Sequence, residues 1–351
     1  MKVKLVSLVM LKVWTLGFSL LQSQEFKSEP FGREVITIQN GFNYVGLRFH
    51  RKIVARGEVT MVSPGSLTIG ISGEDIVQLN TTDFFLFEVG SGDAIGAVVP
   101  IVNYDTVANT ITLQDDLSAG LQIGDLFNIR PSATIASVFG EHNESGLGSG
   151  ATPISCDQVW LPDGSGSFNK YAYLTANPFI PAPARWVEVS NGATIDPHQI
   201  SIYYPDGMVL LGNSTVNSFK VSGVVKRSPT VLVMNPSFNY FSSIYPAGGS
   251  IASMFGLNNE SGLLSGFVGA GGADQIYIPN PLSFGSFLRY YHRLFDASTF
   301  TFDPSWADAI SNGAINPEQV SFNSNSGFVL LNGDGLQRSV IVYPPSFYEQ
   351  L

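Results

Sequence analysis

The stretch Ile135-Ala136-Ser137-Val138-Phe139-Gly140 recurs almost unchanged as Ile251-Ala252-Ser253-Met254-Phe255-Gly256. Two residues after each copy the sequence repeats again, as Asn143-Glu144-Ser145-Gly146-Leu147 and as Asn259-Glu260-Ser261-Gly262-Leu263. Self-similarity of this length indicates a duplicated architecture, in which each copy is one structural unit. The duplication therefore predicts two homologous modules, and the other motifs can be located by their distance from these two stretches.

The similarity continues on both sides of the repeated stretch. Phe42-Asn43-Tyr44 recurs as Phe238-Asn239-Tyr240, and Asp157-Gln158-Val159 recurs as Asp274-Gln275-Ile276. Each copy closes with an Ile-Asx-Pro-x-Gln segment, whose Asx-Pro step favours an extended or turn conformation. We expect strands at 199–204 and 208–211, joined as a β-hairpin that closes the first copy, with an equivalent hairpin in the second. One further strand follows in each copy, at 219–225 and at 339–342.

The first copy contains a segment that the second lacks, between the Phe-Asn-Tyr motif and Ile135. Short runs rich in Val, Ile, Leu and Phe are punctuated there by turn dipeptides, which is typical of a small antiparallel barrel or sandwich. The predicted strands are 59–62, 67–71, 84–89, 97–102, 110–113 and 126–129. Because both copies share the surrounding framework, the insertion is the favoured place for a specialised function.

The predicted fold class is all-β and mainly antiparallel. Two homologous β-sandwich-like modules are expected, the first (25–54 plus 131–226) carrying the inserted barrel or sandwich (55–130), and the second spanning 227–351. Helix should be minor, with 306–310 as the best candidate. A composition of 13% charged residues, 36 Gly, 20 Pro and 25 Phe is typical of a turn-rich, aromatic-rich β protein.

The N-terminal residues predict export. Lys2 and Lys4 precede an apolar run over 5–21, and polar residues follow at 22–24, which is typical of a cleaved signal peptide spanning 1–24. An uncleaved anchor is the alternative, because the run is long. No later segment is long and apolar enough to span a bilayer, so we expect the mature chain in the periplasm, on the outer surface or outside the cell.

The net charge and the cysteine content indicate which partners and which cellular compartment to expect. A formal net charge of −10 and a pI near 4.8 disfavour nucleic acid as a partner. Cys156 is the only cysteine, so no intramolecular disulfide can form. Exported bacterial proteins commonly manage without cysteine, which favours a bacterial envelope setting.

Several of these motifs together resemble a known family. The Phe-Asn-Tyr openings, the Asp-Gln elements, the Ile-Asx-Pro-x-Gln closing segments and Gly124-Asp125-Leu126-Phe127-Asn128-Ile129-Arg130-Pro131 are similar to an uncharacterised family of exported, paralog-rich, β-rich proteins of verrucomicrobial bacteria. The resemblance covers roughly residues 30–342. It implies export and a lineage-specific role, but no activity and no catalytic residues.

The polar motifs give few candidates for chemistry. His50, His142, His198 and His292 lack zinc-site spacing, and no strand–Gly-x-Ser-x-Gly–helix elbow occurs. Asp157 and Asp274 could contact a sugar or calcium, or could cap turns before strands. The loop 332–335 could bind calcium but lacks the acidic spacing of an EF-hand. No cofactor is therefore predicted, with calcium as the open alternative.

Aromatic residues are the other candidates for a binding site. Six aromatic residues could stack on sugar rings if they are exposed on a sheet face, or they could fill the core of each module: Trp160, Trp186, Trp306, Phe287, Tyr290 and Tyr291. Trp186 matches Trp306 in the second copy, whereas Trp160 is replaced there by Tyr277. A contiguous exposed aromatic patch would favour ligand binding.

Taken together, the sequence predicts an exported, non-enzymatic envelope or extracellular protein. We expect a structural or adhesive surface component that presents its loops and the inserted domain to other envelope proteins, to itself or to a polysaccharide. A carbohydrate-binding protein that uses exposed aromatic residues is the alternative. A secreted hydrolase is favoured least, because no catalytic constellation is visible in the sequence.

Overall fold

The computed structural model describes residues 30–74, 79, 83–176, 182–213, 217–246, 249–322 and 327–350. The predicted signal peptide lies outside these residues. The segment Phe31–Leu351 forms one compact unit. Its strands pair in antiparallel fashion throughout the named sheets, which confirms the predicted all-β fold class.

The strands, in chain order, are β1 (Phe31–Ile38), β2 (Gly41–Gly46), β3 (Ala55–Met61), β4 (Thr68–Glu74), β5 (Phe85–Val89), β6 (Val98–Asp105), β7 (Thr110–Leu113), β8 (Leu126–Pro131), β9 (Ala133–Thr134), β10 (Gln158–Pro162), β11 (Phe168–Leu174), β12 (Arg185–Glu188), β13 (Ser201–Ile202), β14 (Gly207–Gly212), β15 (Asn217–Val224), β16 (Thr230–Met234), β17 (Ser237–Ser242), β18 (Gln275–Pro279), β19 (Phe287–Asp296), β20 (Thr301–Asp308), β21 (Gly327–Asn332) and β22 (Arg338–Val342). Two short α-helices, α1 (Ile135–Phe139) and α2 (Ile251–Phe255), accompany them, with 3₁₀ turns at Pro153–Ser155, Pro197–Gln199 and Ser346–Gln350.

Two five-stranded sheets form the framework, and they have the same strand order. The first runs β12-β11-β10-β14-β2, and the second, read from its far edge, runs β20-β19-β18-β21-β17. The repeated sequence motifs lie on equivalent strands. The apolar faces of both sheets contribute to one continuous core, which contains Trp186 and Leu210 of the first sheet together with Trp306 and Leu330 of the second. The division into two separate modules with the proposed boundaries stays a prediction.

The inserted segment folds as a closed six-stranded antiparallel barrel with the order β3-β4-β7-β6-β5-β8. This confirms the barrel alternative, and each of the six predicted strands is present. The barrel has its own core, in which Phe87 and Phe127 stack at 5.0 Å between ring centroids. Closure leaves no open sheet edge within the barrel.

The repeated Ile-Ala-Ser-x-Phe-Gly stretch forms helices α1 and α2. Thr134 caps α1 and exchanges hydrogen bonds with Ser137, while Ser250 and Ser253 do the same for α2. Such a reciprocal capping box satisfies backbone N–H groups that a short helix leaves unpaired. The buried Ile and Phe of each stretch point into the common core, so the motif recurs because it docks one turn of helix there.

Two local predictions are wrong. Residues 306–310 are not helical: Trp306 lies in β20, its ring is buried, and its Nε1 donates to the Gly256 carbonyl at 2.9 Å. The closing segment of the first copy is not a hairpin either, because β13 pairs with β9 and not with β14. In both places a tertiary contact decides the conformation, which a short local pattern cannot reveal.

The two framework sheets meet closely where β2 and β14 of the first approach β17 and β21 of the second, and glycine permits this approach. A Cβ atom at Gly207 would lie 2.7 Å from the Phe241 carbonyl oxygen, and one at the equivalent Gly327 would lie 2.8 Å from the Val45 nitrogen. A Cβ at Gly46 would lie 2.6 Å from the Cα of Ser242, its own repeat equivalent. Backbone packs on backbone here, so a side chain cannot be accommodated by a rotamer change.

We expect Gly207→Ala to lower the free energy of unfolding by roughly 1–3 kcal/mol, because the added methyl group overpacks this junction. Denaturant unfolding measures the change. Gly271→Ala is the matched control, since a Cβ there has no atom within 4 Å. Equal stability of both variants and the wild type would contradict the close junction.

Candidate functional site

A row of eight aromatic side chains crosses the outward faces of both sheets, and we call it the aromatic strip. Each ring contacts the next, with centroids between 4.7 and 6.3 Å apart. In order of contact the rings are Phe42, Trp160, Phe168, Tyr240, Tyr44, Phe287, Tyr277 and Phe238. The strip therefore joins the two copies into one surface.

The order of the rings along the strip is symmetric with respect to the sequence repeat. Replacing each of its first four residues by the repeat equivalent gives its last four in reverse order, with Phe42 becoming Phe238 and Trp160 becoming Tyr277. At its centre, the rings of Tyr44 and Tyr240 are parallel within 3° at 6.3 Å. Tyr240 contacts Phe168 of the first sheet, and Tyr44 contacts Phe287 of the second, so the sheets interlock at this point.

Strand periodicity places these rings on the outward face. Phe42 and Tyr44 alternate with the buried residues Asn43 and Val45, as expected for side chains two positions apart. The two terminal rings are the most exposed, Phe42 by 45% and Phe238 by 44%, and the six others are half-buried. Neighbouring rings are mostly inclined to each other at 51–84°, so the strip offers both ring faces and ring edges.

A groove of about 590 Å³ lies beside the strip at Phe42 and Tyr44. Its other walls come from β1 and from the turn 279–286 of the second sheet, where Phe284 stands 48% exposed. The turn approaches β2 closely: a Cβ atom at Gly41 would lie 3.0 Å from the Phe284 ring. An apolar ring set with a few polar groups in one concavity is the usual composition of a ligand site.

Glu34 and Arg48 supply the charged groups of the groove. The Arg48 Nη2 atom pairs with the Glu34 Oε2 atom, and Nη1 donates to the Pro246 carbonyl at 3.4 Å. Within the described residues, Glu34 Oε1 and Arg48 Nε are buried and have no hydrogen-bond partner. These two atoms are enclosed by the protein, and the groove also contains the exposed polar residues Thr37 and Gln39.

The phenol groups at the centre of the strip remain protonated over the physiological range. Burial, and then the neighbouring Tyr240, raise the pKa of Tyr44, and burial raises the pKa of Tyr240. Both hydroxyl groups can therefore donate a hydrogen bond as well as accept one.

The six aromatic residues that the sequence singled out lie partly in the strip and partly in the interior. Trp160 and Phe287 belong to the strip, and Trp160 Nε1 donates to Gln158 Oε1 at 2.8 Å. Tyr291 is fully buried. Trp186 and Trp306 are each only 1% exposed, and Tyr290 is buried as well, so these three pack in the core. The other six strip residues were missed, although Phe and Tyr two positions apart in both Phe-Asn-Tyr motifs already indicated a shared face.

Asp157 and Asp274 are buried and serve equivalent structural roles. The Asp157 carboxylate accepts from the Gly148 and Asn213 N–H groups at 2.6 and 2.8 Å. Asp274 accepts from the Leu264 and Gly333 N–H groups at 2.7 and 2.8 Å. Each carboxylate thus ties two loops to the start of a central strand, as the turn-cap alternative expected, and neither belongs to the strip.

The loop considered for calcium is held by its own hydrogen bonds. The Asn332 side chain accepts from the Asp334 and Gly335 N–H groups, and the Asp334 carboxylate pairs with Arg338. Across the described ranges, no three His, Cys, Asp or Glu side chains come together in a way that could hold a metal ion.

One serine–histidine pair bears on the hydrolase alternative. Ser265 Oγ lies within hydrogen-bond distance of His292 Nδ1, at 2.8 Å, and accepts from Asn259 Nδ2 at 3.2 Å. The His292 Nε2 atom is buried and, among the described residues, has no acceptor that would orient the ring. Burial lowers the pKa of His292, and the pair lines neither the groove nor the strip. Hydrolysis is therefore not the function that this geometry supports best.

A buried polar network joins the barrel to the framework. Arg130 Nε donates to Glu88 Oε1 at 2.7 Å inside the barrel wall, and the Tyr204 hydroxyl of the framework donates to the same oxygen at 3.0 Å. Burial alone would raise the pKa of Glu88, but the charges of Arg130 and Lys226 lower it to about 2. The barrel is thereby fixed by a charge that stays ionised.

His50 packs against this network and remains neutral. Its ring contacts Tyr204 at 4.4 Å, and its Nε2 donates to the Ile244 carbonyl at 3.2 Å. Burial, followed by the positive charge of Arg130, lowers the pKa of His50 to about 3. An unfolded histidine takes up a proton near pH 6.5, so the unfolded chain binds more protons between these values, and stability falls as the pH drops.

We expect His50 to account for a loss of about 2 kcal/mol in the free energy of unfolding between pH 7 and pH 5. Urea unfolding at both pH values should show this loss in the wild type and a smaller loss in His50→Gln. His142→Gln is the control, because His142 is exposed in the folded chain. An identical pH dependence in wild type and His50→Gln would contradict a neutral buried histidine.

Comparison with protein families, curated proteins and solved structures found no match to this chain. Among the described residues, no helix is long and apolar enough to cross a membrane. The assignment of a function therefore rests on the strip, the groove and their chemistry.

Proposed function

We propose that this protein binds carbohydrate and that the aromatic strip is its binding surface. The observation that carries the proposal is the strip itself, eight partly exposed rings in unbroken contact across both sheets. Single exposed aromatic side chains are normal on a protein surface, but a contiguous row is not. Rigid rings present a large contact area at little cost in side-chain entropy.

The chemistry of a sugar fits this surface. A sugar ring has apolar C–H faces that can pack on aromatic side chains, and a rim of hydroxyl groups that must keep their hydrogen bonds. The groove supplies the second requirement through the exposed polar residues Thr37 and Gln39 in its lining. Hydroxyl and amide groups can both donate and accept hydrogen bonds.

The duplication also favours a repeating ligand. The strip presents equivalent residues from both copies, whereas the groove lies beside Phe42 and Tyr44, with its far wall formed by the turn 279–286. A polysaccharide can lie along equivalent rings and place one of its units in the groove. In this proposal the exported chain is an adhesive component of the cell envelope or the extracellular space, with polysaccharide as its partner and no enzymatic activity. The signal-peptide pattern supports export.

A structural role through self-assembly is the second candidate. It is favoured by a separate exposed group of phenylalanines on the hairpin between β19 and β20, where Phe300 is 83% and Phe302 is 69% exposed. Phe267 stacks on Phe295 beside them at 5.5 Å. A contiguous patch of exposed phenylalanines is typical of protein–protein contact.

Substitutions at the two ends of the strip test the first candidate. We expect Phe42→Ala and Phe238→Ala each to weaken polysaccharide binding on the order of tenfold, because each removes an exposed anchor ring. Affinity electrophoresis against a panel of polysaccharides, followed by calorimetry, measures the change. Phe300→Ala is the control for an exposed phenylalanine outside the strip.

The same experiment separates the two candidate functions. Sedimentation of the wild type and of Phe300→Ala should show one oligomeric state if the strip carries the function. If no polysaccharide binds and oligomers that depend on concentration disappear in Phe300→Ala, the structural candidate replaces carbohydrate binding.

A further inference from the structure

Acidic residues are excluded from the strands that bear the strip. The chain contains 28 Asp and Glu against 18 Lys and Arg, yet β2, β10, β11, β17 and β18 hold no acidic residue at all. The sixth ring-bearing strand, β19, holds only Asp296 at its far end, where Arg293 pairs with it at 3.0 Å. The strands that bear the strip are therefore nearly free of carboxylates on a strongly acidic protein. The neighbouring carboxylates are Glu34 of the groove, which pairs with Arg48, and Asp308 of β20, which interacts electrostatically with Arg289.

Two cations occupy equivalent places on this surface. Lys170 lies opposite Trp160 in the sheet register, with its Nζ 3.9 Å from the ring centroid. Arg289 lies opposite Tyr277, with its Cζ 5.8 Å from that centroid. The amino acids differ between the copies, Lys against Arg and Trp against Tyr, but the pairing of a cation with an aromatic ring is the same.

Lys170 and Arg289 retain N–H donors that a ligand could use. Both side chains are half-buried, and neither forms an ion pair within 4.0 Å with a carboxylate in the described part of the chain. An ammonium group has three N–H donors and a guanidinium group has five, so contact with a ring leaves donors that can reach an anion. The ring beneath supplies the apolar contact at the same point.

We propose that the ligand of the strip is an anionic polysaccharide, a polymer whose sugar units carry carboxylates. This inference rests on the proposed carbohydrate binding and names its ligand class. The rings take the sugar faces, and Lys170 and Arg289 each take one carboxylate through charge-assisted hydrogen bonds. Two equivalent cations along one strip suit a polymer that repeats its charge at intervals.

A nucleic acid is the competing polyanion, and the charges disfavour it. Nucleic acids carry a phosphate at every nucleotide, so their binding proteins present many cations along the whole path of the strand. The strip offers two such cations on a chain with a net charge of −10. A polymer that combines sparse charge with sugar faces matches this surface better.

The test compares polyuronates with their uncharged derivatives. Full-length protein is titrated with alginate, polygalacturonate and hyaluronate, and with the carboxyl-reduced form of each. We expect at least one polyuronate to bind ten times or more tighter than its reduced form, with an affinity that falls as salt rises from 50 to about 500 mM because exposed charges are screened.

Matched variants assign the effect to the two cations. Lys170→Gln/Arg289→Gln should lose about tenfold in affinity for the polyuronate and keep its affinity for the reduced polymer, which also shows that the variant is folded. Lys52→Gln/Arg227→Gln, with the same charge change at exposed positions off the strip, should bind like the wild type.

The contrary results distinguish failure of the anionic-ligand inference from failure of carbohydrate binding itself. Equal affinity for charged and reduced polymers, unaffected by salt, would overturn the anionic ligand and leave carbohydrate binding in place. Binding of single-stranded DNA as tightly as of any polyuronate would overturn it in favour of a general polyanion surface. Binding to none of the polymers would overturn both this inference and the proposed function.

Discussion

The close approach of β2 and β17 is the contact on which the candidate site depends. It brings two sheets of the same strand order edge to edge, with glycine at 207 and 327 where backbone meets backbone. The approach places Tyr44 of one sheet against Tyr240 of the other, in the middle of the aromatic strip. Without it each sheet would carry four rings, and no continuous surface would exist. The glycines therefore matter to the site although they touch no ligand.

Much of the fold was predictable because it is encoded locally. The six barrel strands follow from alternating apolar residues between turn dipeptides, and the duplication is visible in the sequence. The two wrong local predictions have their cause in contacts that are distant in the sequence. Residues 306–310 lie between a proline and a glycine, which suggested a helix, but burial of Trp306 and its bond to Gly256 hold them in a strand and turn. The strand 201–202 pairs with β9, from which α1 and β10–β12 separate it in the chain, and the adjoining hairpin pattern conceals this partner.

The site was predictable only in part. Trp186 and Trp306, which are identical in the two copies, lie in the core. Trp160, which is replaced by Tyr277 in the second copy, is half-buried and belongs to the strip. Packing constrains identity inside a core, while a stacking surface requires only an aromatic ring. The sequence does not reveal which rings of the strip are neighbours. Phe168 contacts Tyr240, and Tyr44 contacts Phe287, only because the two sheets meet at their junction. The barrel, favoured at first as the functional part, lies outside the strip, and its role remains a prediction.

Trp160 can report directly on sugar binding to the aromatic strip, because its ring is part of the strip. Titration of intrinsic tryptophan fluorescence with a bound polysaccharide measures this directly, because Trp186 and Trp306 are shielded in the core. If sugar binds on the strip, we expect a saturable change in tryptophan emission that disappears in Trp160→Phe. Calorimetry should show that this variant still binds the polysaccharide. An unchanged fluorescence response in Trp160→Phe, or tight binding with no response in the wild type, would contradict it.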